Sequence, residues 1–94
     1  SGNKDLYIVV TDPAGKVISE EGLNSGSFTT RKDGEKQFTN KVSVNYEQGA
    51  AKNVSFDLQQ TDKYVPGNYK VEVYNNGFKI GENVVALKKG GLFS

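Results

Sequence analysis

The chain has 94 residues, 35% of them hydrophobic and 11% aromatic, with 12 basic against 11 acidic side chains and a net charge of +1. That length holds one small core, and a mean hydropathy of -0.58 fits a two-sheet sandwich in which each strand keeps one wet face. Charge without a basic stripe argues against nucleic acid as a partner, no apolar run reaches the roughly 18 residues of a membrane helix, and the absence of His and Cys removes imidazole and thiolate catalysis and metal ligation.

Alternation of apolar and polar residues dominates, and no segment shows a helical period. The first expected strand covers 5–11, with Leu6, Ile8 and Val10 on one face. Asp12-Pro13-Ala14-Gly15 is a turn: Asp opens it, Pro sets φ and Gly closes it. A short strand at 16–19 and a polar loop at 20–26 follow. The next strand is 27–31, and Lys32-Asp33-Gly34 carries an Asp-Gly hairpin signal. The longest strand is expected over 35–46, with Phe38, Val42, Val44 and Tyr46 sharing a face. Asn40 interrupts that face, which marks a bulge or an edge position.

After a turn at 47–51, the run 52–58 is a strand with Val54, Phe56 and Leu58 inward. A crossover loop over 59–67 leads to the strand 68–74, with Tyr69, Val71 and Val73 inward. Asn75-Asn76-Gly77 is a hairpin turn built from residues that tolerate positive φ. The last strand covers 78–87, with Phe78 and Ile80 inward and a kink at Gly81, and 88–94 is a tail.

Seven short strands at roughly 8–12-residue spacing predict an all-β, seven-stranded, immunoglobulin-like (fibronectin III-like) two-sheet Greek-key sandwich. Pro66, Gly67 and Tyr69 form its expected structural corner, in which a tyrosine near the start of the penultimate strand sends its hydroxyl back to nearby backbone. Residues 1–94 are expected to be a single domain with a flexible tail from about 88. The chain lacks Met, so it is expected to be a piece of a larger protein.

Tyr64-Val65-Pro66-Gly67-Asn68-Tyr69 resembles the Leu-x-Pro-Gly-x-x-Tyr corner of fibronectin type III domains, one residue shorter. The tryptophan those domains carry in an early strand is missing. The opening Leu6-Tyr7-Ile8-Val9-Val10-Thr11-Asp12-Pro13-Ala14-Gly15-Lys16-Val17 is similar to that of envelope β-sandwiches from Bacteroidota. Pro66-Gly67-Asn68-Tyr69-Lys70-Val71-Glu72-Val73 is similar to their closing strand. Two kinds of domain share the pair: the accessory sandwich of periplasmic or surface proteins, and the C-terminal sorting domain of type IX secretion. The sorting domain ends soon after its final strand, whereas this chain continues past Lys88-Lys89 through Gly90-Gly91-Leu92-Phe93-Ser94.

These resemblances imply a non-catalytic accessory or interaction module in the bacterial periplasm or on the cell surface. The partner is a protein, other domains of the same chain, or a glycan. A sorting domain and a small carbohydrate-binding module are the alternatives.

Carboxylates are what remains for catalysis, and the adjacent Glu20-Glu21 lacks the desolvated pocket a paired-carboxylate mechanism needs. Asp12, Asp33, Asp57 and Asp62 lie near turns but do not cluster as calcium ligands do. Asn53-Val54-Ser55 is a sequon inside an expected strand. No catalytic, cofactor-binding or metal-binding residue is therefore expected.

The candidate binding residues are Tyr7, Tyr74, Tyr64, Leu92 and Phe93. Tyr7 and Tyr74 alternate away from the expected core, either to stack on a sugar or partner or to pair across strands. Tyr64 stands in the crossover loop. Leu92 and Phe93 follow a Gly pair, and either dock on a partner or fold back on their own sandwich.

Overall fold

The computed structural model describes residues 2–19, 25–46, 65–88 and 91–92. Their regular elements are all strands: β1 (Gly2–Thr11), β2 (Gly26–Thr30), β3 (Gly34–Phe38), β4 (Asn40–Tyr46), β5 (Gly67–Asn75), β6 (Phe78–Lys88) and β7 (Gly91–Leu92). One antiparallel sheet runs β4-β1-β5-β6-β7, and β2 and β3 form a second, two-stranded sheet. The all-β, helix-free expectation holds among the described residues. The strand expected at 52–58, with Val54, Phe56 and Leu58, lies outside them, as do Glu20-Glu21, Asp57, Asp62 and the sequon.

β1 is central. It pairs with β4 from Gly2↔Tyr46 to Ile8↔Asn40, and with β5 from Leu6↔Asn75 to Thr11↔Lys70. Its five consecutive apolar residues, Leu6-Tyr7-Ile8-Val9-Val10, serve both faces. Ile8 and Val10 cluster with Ile18, Tyr69 and Leu87, and Val42 and Val71 pack against them. Val9 clusters on the opposite face with Phe38 and Tyr74, flanked by Tyr7, Val17 and Phe28. The β2–β3 hairpin supplies Phe28 and Phe38, so it covers that second face.

This corrects the expectation of one wet face. Val9, Ile18, Tyr74 and Leu87 join the core, while Phe78 and Ile80 are 55% and 60% exposed. A continuous apolar run is what a strand buried on both sides requires. Each fully buried aliphatic contributes roughly 1.5–3 kcal/mol of transfer free energy, so filling both faces of β1 outweighs strict alternation.

The long strand expected at 35–46 breaks at Thr39, where the chain passes from the small sheet to the large one. Phe38 and Val42 consequently lie in different clusters rather than on one face. Thr39 is fully buried and takes over pairing duties along β1. Its N–H donates to Ile8 O at 2.7 Å, and its hydroxyl accepts from Val10 N at 2.9 Å. Ile18 N then donates to Val10 O at 2.9 Å, and the expected 16–19 strand reduces to one bridge, Thr11↔Val17. Asn40 begins the edge strand β4. The bulge belongs to β6 instead: Val73 pairs with Gly81 but Tyr74 with Lys79, leaving Ile80 as the extra residue. That one-residue insertion turns Ile80 out of the core.

Side chains organise the turns. Asp12 Oδ1 accepts from Ala14 N and Lys16 N, both at 2.9 Å, which is why an Asp stands there. At the corner, the Tyr69 hydroxyl donates to Val65 O at 2.5 Å. Gly67 has φ 145, and a Cβ on it would lie 2.6 Å from Pro13 Cγ. The close approach of the first turn to the corner therefore demands glycine. Arg31 N donates to Gly77 O at 2.8 Å, tying the hairpin turn to the β5–β6 turn.

Candidate interaction surface

The two tyrosines expected to face outward do not offer free rings. Tyr74 is buried at 5% exposure, and the Phe28 ring meets it edge-on at 5.1 Å. Tyr7 stacks on Phe28 at 4.8 Å with an interplanar angle of 3°, meets Phe38 edge-on at 4.9 Å, and has Lys41 Nζ 5.6 Å from its centroid. The rings form an internal aromatic cluster because the hairpin seals the face on which alternation places them. Only the rim of Tyr7 borders an open groove, shared with Phe28, Arg31 and Asn76. Leu92 lies in β7, whose backbone pairs with Leu87. Tyr64 and Phe93 lie outside the described residues.

Burial raises the phenol pKa of Tyr69 above 10.0, with the Asp12 charge adding to the shift. Burial does the same for Tyr74, with Glu72 adding and Lys79 partly offsetting. The Asp12 carboxylate binds its own loop, whereas at Asp33 it is the backbone N that donates, to Thr30 Oγ1 at 2.9 Å.

One carboxylate among the described residues is buried, Glu72 at 4% exposure. Lys79 Nζ bridges it at 3.2 Å to Glu82 at 2.6 Å. The hydrogen bond to Glu82 and then that to Glu72 push the Lys79 ammonium pKa well up, and Lys79 in turn holds the Glu82 carboxyl below its usual range. The β6 bulge sets this geometry, since it brings Lys79 level with Tyr74 and places Glu82 opposite Glu72. The result is a clamp of two carboxylates on one ammonium.

Among the described residues, the outer side of β6 is left open. Phe78, Ile80 and Val84 are 55–60% exposed. β7 pairs only with Leu87 and Lys88, so among the described residues the edge from Phe78 to Ala86 carries no neighbouring strand. Val84 N is covered by the Asn83 side chain, at 2.9 Å from Oδ1. Beside the edge, a groove of about 710 Å³ runs between the hairpin and β5–β6, lined in part by Arg31, Lys32, Lys36, Lys70 and Lys79. Arg31 lies over the Phe78 ring at 5.2 Å and donates from Nε to Asn76 O at 3.3 Å.

Sequence reasoning missed this surface because Phe78 and Ile80 share parity and read as an inward face. Glu82, of the same parity, was the available signal against that reading.

No curated protein and no solved structure matches the chain. Residues 1–88 match a family described as a domain of unknown function, DUF8428, and the chain belongs to that family.

Proposed function

We propose that the chain is a non-catalytic interaction module that receives an extended segment of a partner protein along the free edge of β6. The observation that carries this reading is the stretch from Phe78 to Ala86, unpaired on its outer side among the described residues, with its three exposed apolar side chains. A strand edge presents unpaired backbone groups to which an extended chain can add, and apolar side chains along it supply anchoring pockets. The chain's own β7 already adds to the end of the same edge at Leu87 and Lys88; a partner strand continues that pairing. A catalytic reading finds no support in residue chemistry, since His and Cys are absent and Glu72 is engaged by Lys79. The seven-stranded Greek-key form belongs to the same proposal and draws support from the tyrosine corner. A place in the bacterial envelope draws support from the resemblance of the first turn and the corner strand.

The test is selection from a displayed library of random ten-residue peptides, followed by amide mapping. Selected peptides are expected to protect amides in 80–86 and to lose about tenfold or more in affinity against the double variant Ile80→Lys, Val84→Lys, whose thermal midpoint should stay near the parent's. Selected peptides that map elsewhere and bind the variant equally, or a failure to select any, would refute the reading.

A further inference from the structure

We infer that the groove beside β6 makes this an acid-selective site: the extended partner segment carries carboxylates that enter between the hairpin and the sheet. The inference rests on edge docking as proposed above and adds the chemistry of what docks.

Charge distribution is the first argument. Among the described residues the groove takes five of nine cations but two of six acids, Asp33 and Glu72, leaving four cations against four acids away from it. Among the described residues, positive charge is therefore concentrated at one groove.

The second argument is availability. Lys79 is committed to Glu72 and Glu82, but Lys32, Lys36 and Lys70 form no ion pair among the described residues. Lys70 lies near enough to Glu82 to help lower its pKa, yet Glu82 is hydrogen-bonded to Lys79. Three lysines on two different elements, the hairpin and β5, thus face one groove without an ion pair among the described residues.

The third argument is position. Phe78 belongs both to the exposed strip and to the groove wall, where Arg31 is held over its ring. An extended segment alternates its side chains about 3.4 Å apart along the strand. A chain on the β6 edge can therefore direct one row over the large sheet face toward Lys70 and Lys36. Such charges set selectivity and encounter rate more than the total affinity.

The probes are two ten-residue peptides, one of alternating Glu and Val and its counterpart with Lys replacing Glu. They are titrated against the isotopically labelled domain at about 50 mM and about 500 mM salt, where screening differs strongly. The Glu peptide should bind at least about tenfold tighter than the Lys peptide at low salt. That preference should shrink at high salt, and it should vanish or invert in the double variant Lys36→Glu, Lys70→Glu. A thermal melt establishes that this variant is folded; if it is not, the single Lys70→Gln variant, expected to weaken the preference about threefold, takes its place. Equal binding of the two peptides, or a preference untouched by the groove variant, overturns acid selectivity while leaving edge docking intact. Binding of neither peptide overturns both readings, and shifts confined to the groove without 80–86 overturn edge docking and the inference that rests on it.

Discussion

Tyr69 shows how a single side chain is divided between packing and pairing. Its ring is 1% exposed inside the first cluster, while its hydroxyl reaches back to Val65 O. Deleting the hydroxyl with Tyr69→Phe keeps the ring. Val65 itself is 61% exposed, so water can take over its carbonyl, and the loss should be near the net value of one hydrogen bond. We expect about 1 kcal/mol by urea denaturation. A loss above about 3 kcal/mol would mean that the carbonyl is sealed from solvent. The neighbouring Gly67 is legible from sequence as a turn residue, but its need for glycine is set by Pro13, more than fifty positions away in the chain.

At the scale of elements, the hairpin decides which residues count as core. Tyr74 and Val9 alternate onto the face opposite Ile8 and Tyr69, and that face would be wet if β2–β3 lay elsewhere. Because Phe28 and Phe38 cover it, Tyr74→Ala is a core truncation and should cost about 3–5 kcal/mol, measured as a lowered denaturation midpoint with an unchanged slope. A change below about 1 kcal/mol would mean that the hairpin does not seal the face. The expectation of a surface tyrosine was a correct reading of parity with the wrong account of what lies beyond it. The β3–β4 break has a related cause: alternation shows an extended chain, but Thr39 leaves the small sheet for the large one because β1 needs partners past Ile8.

For the whole molecule, the buried tyrosines make stability depend on alkaline pH. Folding raises the pKa of Tyr69 and Tyr74, mainly by burial, so the native state favours their protonated form. Their contribution is complete below the unfolded value of about 10 and is lost as pH rises through the folded values. Lys79, also raised, loses its share over the same rise. Denaturation at pH 7, 9 and above 10.5 should show little change between the first two from these groups and a steep fall in the third. Absorbance near 295 nm should show tyrosines ionising together with unfolding. Titration of every tyrosine near pH 10 with stability unaffected would contradict the burial of these two.

The amino-acid sequence by itself determined the strand periodicity, the turns at Asp12–Gly15, Asp33–Gly34 and Asn76–Gly77, and the tyrosine corner. Each of these is local: a φ preference, a side chain bonding its own loop, or a period of two. Tertiary structure alone decided which faces are buried, that 35–46 serves two sheets, and that, among the described residues, β6 rather than the tyrosine face stays open. Parity separates the two sides of a strand but does not say what covers either one. In this fold a distant hairpin covers one side of β1, and a one-residue bulge re-aims β6.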